Sequence, residues 1–263
     1  MSDLGLLPRD SVARRVDREL FLLLGGPAAL LMQIAHPLVA AGVAEHSDFT
    51  RDPLGRLHRT LDVTLAVVFG DRATAQRALR QIGNRHESVR GRAADGRPYD
   101  ARDPALLLWV QATLALTSLR LYQLIRGPLS RAERQAYWDE TKPIAAALGI
   151  PEGILPDRVE DLERYERDAL VSDVRPDATG IALGRQVLRP FRWLPAPLHW
   201  PADALTAGLL PAGLRAPFGL GWRARERLLF RAVILALRLV RRAVPERWAL
   251  VPQARRFEDR IAR

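Results

Sequence analysis

From Leu20 to Ala44 the chain runs for 25 residues without a formal charge, and it interrupts that run twice, at Gly25-Gly26-Pro27 and at His36-Pro37. The length passes the roughly 20 residues that a membrane span needs. Each proline, however, lacks an amide hydrogen and has its φ preset for a first helical turn. Three short buried helices are therefore expected here, with a membrane hairpin as the competing expectation. Similar punctuation recurs downstream: Asp52-Pro53 with Gly70, Asp71 with Gly91, and Asp103-Pro104 with Gly127 each bracket one helix. Ser130-x-x-Glu133 is a capping box whose helix closes at Gly149. Alternating β-branched runs and hairpin turns are missing, so a sheet is not expected. From about Pro176 to Leu220 the chain is rich in proline and glycine and reads as short helices and turns laid over the bundle. The expectation is an all-α, single-domain multi-helix bundle over residues 1–263, its core at about 10–250, with a basic C-terminal helix.

The absence of cysteine excludes disulfides, iron–sulfur clusters, thiolate-ligated haem and covalent haem attachment. Any haem would be non-covalent and held by nitrogen. The net charge of +10 brings nucleic acid or an anionic membrane to mind, but 39 of the 40 basic residues are arginine, an imbalance that fits codon usage better than phosphate contacts. Residues 215–263 hold 13 arginines against Glu226, Glu246, Glu258 and Asp259, so the excess is nearly all C-terminal. The arginines form no recognisable nucleic-acid motif, and no such partner is expected. The mixed-charge start, from Arg9 to Glu19, lacks a secretory cleavage pattern; a cytoplasmic chain, with or without membrane association, is expected. Serine-hydrolase, zincin, phosphate-loop and dinucleotide motifs are all missing.

Between Asp71 and Gly91, Ala75, Leu79, Ile82, His86 and Val89 recur at helical spacing, which turns His86 toward the core. Such a residue reads either as a core histidine bonded to a backbone carbonyl or as a proximal ligand to haem b. On the preceding helix Arg56, Arg59 and Thr60 share a face beside Leu57, Leu61, Thr64, Leu65 and Val68. Arginines so placed need anionic partners, either haem propionates or carboxylates such as Asp48, Asp52 and Asp62. A histidine and carboxylate metal site from His36, His46, Asp48 and His58 follows no known ligand spacing.

Five stretches together resemble one family: 36–47 (His-Pro-Leu-Val-Ala-Ala-Gly-Val-Ala-Glu-His-Ser), 52–60 (Asp-Pro-Leu-Gly-Arg-Leu-His-Arg-Thr), His86-x-x-Val89-x-Gly91, Trp109-Val110-x-Ala112 and Tyr137-Trp138. The resemblance is to the rubber oxygenase catalytic domain, a family that includes the fungal oxygenase of mycophenolic acid biosynthesis, and it extends over roughly residues 10–250. It implies a globin-like helical core, one haem b, and dioxygen-dependent oxidation or cleavage of a carbon–carbon double bond in a small apolar, isoprenoid-like substrate. An electron donor of unknown identity is implied with it. The family's proximal histidine falls on His86, its active-site arginine on Arg56 and its threonine on Thr60, with Arg59 also facing the cofactor. Rubber oxygenases carry at position 59 a lysine able to bind the iron. Arginine cannot replace it in that role, because guanidinium has no lone pair to offer. The iron is then expected five-coordinate, water-bound or ligated elsewhere, for example by His58. Gln111 stands where relatives often have histidine, and His36 and His46 match family positions with a generic structural or pocket role.

The rival reading is a non-enzymatic membrane-surface or interaction protein. Trp222, Leu228, Leu229, Val233, Leu237 and Val240 alternate with Arg223, Arg225, Arg227, Arg231, Arg238, Arg241 and Arg242, as in an interfacial helix. The alternative is a final helix whose apolar stripe simply completes the bundle.

Overall fold

Ser11 caps the first helix, α1 (Val12–Asp17), by accepting from the Arg14 amide. The uncharged run then breaks where its prolines predict. A 3-10 helix spans Leu20–Gly25, α2 Gly26–Ala35 and α3 Pro37–His46, with Pro27 and Pro37 in the first turns of α2 and α3. The direction changes by 108° at His36. The expectation of three buried pieces holds for α2, which buries Leu31, Met32 and Ile34, but not for the 3-10 helix, where Leu20, Leu23 and Leu24 are exposed. The computed structural model describes residues 5–47, 62–190, 193 and 195–261.

Residues 62–69 are helical (α4) and bury Leu65, Val67, Val68 and Phe69, the packed second half that the sequence predicts; Thr64 on the same helix is exposed. Asp71 caps α5 (Arg72–Glu87). That helix stops short of Gly91, because Arg90–Arg92 (β1) pairs antiparallel with Pro98–Asp100 (β2). This hairpin overturns the expectation of no sheet. Its Asp95-Gly96 corner is a turn signal in plain sight, with Gly96 at φ +84 where residues with a side chain are rarely found.

Next comes α6 (Pro104–Arg126), capped by Asp103 and ended by Gly127 at φ +105. It is long and apolar enough to cross a membrane, yet 67% of its apolar stretch is buried inside the fold. The helices around it are α7 (Arg131–Ala147), opened by the predicted capping box, α8 (Val159–Ser172), and α12, described below. Trp109 donates from Nε1 to the Met32 carbonyl at 3.2 Å, and Gln33 of α2 bonds Thr113 at 3.2 Å. Arg120 and Glu166 fix α8 with a bond of 2.8 Å from one guanidinium nitrogen. Leu116, Leu121 and Leu162 fill the space between, each such burial contributing about 2 kcal/mol.

The proline-rich region is less fragmented than expected: α9 (Ala178–Leu188) and α10 (Ala196–Leu209) are full helices, and only α11 (Ala212–Arg215) is a single turn. The basic helix α12 (Ala224–Ala243) packs against α10 and α6, and it is not the last, since α13 (Glu246–Ala249) and α14 (Pro252–Ile261) follow. The fold is an all-α bundle with one two-stranded hairpin among the described residues.

Candidate functional site

His86 occupies the last turn of α5. On that helix Ala75 and Ala78 are buried and Leu79, Ile82 and His86 half-buried, while Arg77, Arg80, Gln81 and Arg85 face solvent. The inward stripe read from the sequence is therefore present, but it ends in a half-buried imidazole outside the packed core, and Val89 lies beyond the helix. A helix C-terminus favours imidazolium, and Asp100 acts in the same direction. Desolvation outweighs both and lowers the His86 pKa below 6.5, so the ring is neutral at neutral pH. Its nitrogens make no hydrogen bond among the described residues.

The hairpin that follows α5 joins His86 to α3. Val89 donates its amide to the His86 carbonyl at 3.1 Å and accepts from Ala101 at 2.8 Å. Gly42 of α3 approaches so closely that a Cβ there would lie 3.3 Å from Val89. Beside this contact the Tyr99 hydroxyl donates to Glu45 and lies 3.1 Å from His46 Nε2. Burial, then Glu45, pushes the Tyr99 pKa up to about 12, which keeps the hydroxyl a donor. His46 is thus held against the hairpin by Tyr99. The sequence reading missed this Glu45, Tyr99 and His46 group, and the Asp95-Gly96 corner was the signal that would have brought Tyr99 to α3.

His36 sits at the other end of α3, about 15 Å away by helical rise. Its Nδ1 accepts from the Leu38 amide at 3.3 Å, capping the helix. The ring lines an open cleft of about 450 Å³ with Trp109, Tyr165, Asp161, Asp168 and Asp173, and burial lowers its pKa. A second cavity of about 390 Å³ lies among Leu170, Val174, Pro211 and Leu214. His86 lines neither. Gln111 is half-buried on α6. Asp62, one suggested arginine partner, accepts from Gln253 at 2.8 Å. Among the described residues no three histidine or carboxylate side chains are grouped to hold a metal. Arg56, His58, Arg59 and Thr60, with Asp48 and Asp52, lie outside the described residues.

The described residues form a helical bundle with one short hairpin, and a half-buried histidine stands in the last turn of the helix that precedes it. The chain matches, over residues 13–239, the family described as the ER-bound oxygenase mpaB/B′ and rubber oxygenase catalytic domain, and it belongs to that family. Among curated proteins it is 33% identical, over 86% of its own length and 92% of theirs, to uncharacterized proteins of Mycobacterium tuberculosis and Mycobacterium bovis.

Proposed function

We propose that this chain is a haem b-dependent oxygenase, with His86 as the proximal ligand, that uses dioxygen to oxidise or cleave a carbon–carbon double bond in a small apolar substrate. The observation that carries the reading is the state of His86 in a chain of the oxygenase family: neutral, half-buried, on the inner face of α5, with no hydrogen-bond partner among the described residues. A metal takes the neutral imidazole, so a depressed pKa suits a ligand. The lack of cysteine leaves nitrogen as the donor of choice.

When bound, haem would supply the iron that activates dioxygen. The chain's own contribution is placement and charge. The Gly42 contact and the Tyr99 hydrogen bonds hold the hairpin that follows His86 against α3. Arg56 and Arg59, permanently protonated, are assigned to the propionates or to stabilising negative charge as it develops on oxygen, with Thr60 as a hydroxyl donor. Arg59 has no lone pair to offer iron, so any second protein ligand to a bound haem would have to come from another residue such as His58, with Gln111 a further pocket residue. In a complete cleavage one oxygen atom goes to each alkene carbon and two carbonyl groups result, so the reaction needs no net reductant. An external donor would serve only to keep a bound iron reduced.

The test is an absorption spectrum of protein produced with haem precursor, wild type beside His86→Ala. A Soret band that is lost or shifted in the variant is the expected result. Absence of a band in the wild type, or equal loading of both proteins, overturns the assignment.

A further inference from the structure

The two long faces of α12 differ in what covers them. Phe230, Val233, Ile234 and Leu237 turn inward, with Phe230 5.5 Å from the Trp222 ring. On the outward side Leu228, Leu235 and Leu239 recur at intervals of seven and four and are 68%, 57% and 55% exposed. Three residues after each stands an arginine, Arg231, Arg238 and Arg242, so a cationic row runs beside the leucine row. Arg238 donates to the Leu124 carbonyl at 2.6 Å, while Arg231 and Arg242 meet no carboxylate among the described residues. The one acid of α12, Glu226, is spent on the Arg223 amide at the helix start. Exposed Trp200, under the Arg225 guanidinium at 3.9 Å, flanks the N-terminal end, and exposed Trp248 follows the C-terminal end.

We infer that the outer face of α12 docks on an anionic phospholipid surface, its leucines entering the acyl boundary and Arg231 and Arg242 meeting lipid phosphates. Leucines paired with arginines and flanked by tryptophan suit the water–lipid boundary, where an apolar stem and a cationic head are satisfied together. Charge decides against a second copy: the face carries no acid, so a symmetric contact would oppose arginine to arginine. A polyanion without an apolar phase would leave the leucines in water.

The test is co-sedimentation of the full chain with phosphatidylcholine vesicles and with vesicles of phosphatidylcholine and phosphatidylglycerol. Binding to the anionic vesicles alone, weakened by added salt, is expected. Arg231→Gln with Arg242→Gln lowers partitioning about 25-fold, at roughly fivefold for each lost charge. Leu235→Glu with Leu239→Glu abolishes it, while circular dichroism shows unchanged helicity, because both side chains already face solvent. No sedimentation with anionic vesicles, or sedimentation indifferent to both pairs of substitutions, overturns the proposal. So does a lipid-free dimer dissociated by the leucine pair, which would give the face to a second copy. The vesicle assay reads no oxygenase chemistry, so its outcome is independent of the haem assignment.

Discussion

At the scale of single residues, two half-buried titratable groups carry opposite pH signatures. His86 has a folded pKa below 6.5, so the unfolded chain takes up its proton first and stability falls as pH drops below that value. If His86 holds iron, the Soret band should outlast the ordinary imidazole midpoint on acid titration; a midpoint above 6.5 would contradict the neutral, desolvated ring. Asp17 behaves in the reverse way. Part of the residue reaches solvent, but its carboxyl faces the Tyr137 hydroxyl at 3.1 Å beside Glu140. Burial raises its pKa to about 7, against the lowering effect of the Tyr137 bond and with a further raise from Glu140. The folded form therefore keeps a proton that the unfolded form has released above about pH 4, and this contribution is lost as pH rises toward 7. Asp17→Asn should raise the thermal midpoint at pH 8 by about 3 °C, or about 1 kcal/mol at this chain length, with the gain shrinking as pH falls and vanishing below about pH 4. A variant less stable than wild type at pH 8 would show that the ionised carboxylate is used by the fold. Neither group's environment was readable beforehand: spacing gave His86 its direction, but the depth of its burial depends on what α3 and the hairpin bring beside it.

At the scale of elements, close approach rather than propensity decides where the late helices sit. A Cβ on Gly208 of α10 would lie 2.3 Å from the Phe230 ring of α12, so the two helices cross at a distance that only glycine permits. Gly208→Val should force them apart and cost about 2 to 3 kcal/mol in urea denaturation. The larger part of that loss should be recovered by adding Phe230→Ala, which opens the space. A Gly208→Val variant as stable as wild type would mean that the ring moves freely and that the crossing is not set there. The sequence offers no hint of this contact, since Gly208 and Phe230 belong to different elements. The caps, by contrast, were legible, because Asp71, Asp103 and Ser130 satisfy amides within three residues of themselves. The hairpin escaped because its strands are only three residues each, too short for alternation to register. The split of α12 into one packed and one exposed apolar face also escaped, since composition alone shows a single broad stripe.

At the scale of the whole molecule, the C-terminal segment returns to the N-terminal one and closes the bundle. Val251 donates to the Arg18 carbonyl at 2.8 Å, and Arg18 pairs with Glu246 at 2.7 Å and Glu258 at 2.9 Å. At the centre Glu19, 1% exposed, accepts from Arg241 at 2.6 and 3.0 Å, and Arg126 of α6 stands 3.5 Å away. Arg241 is tied in turn to Glu246 at 2.8 Å, and the Glu19 bond holds its guanidinium charged even more firmly than usual. A buried pair of this kind can be nearly neutral when both partners are replaced, but it is costly when one is left behind, because the survivor keeps its charge without compensation. Arg241→Met should therefore lower stability by about 3 kcal/mol, leaving the Glu19 carboxylate with Arg126 alone. Adding Glu19→Gln should restore part of it, so that the double variant is more stable than Arg241→Met alone and the two changes are strongly non-additive. Additive losses would instead mean that each side chain acts through its own packing. The connection would then rest on the Arg18 ion pairs and the backbone bridge between Glu19 and Leu250.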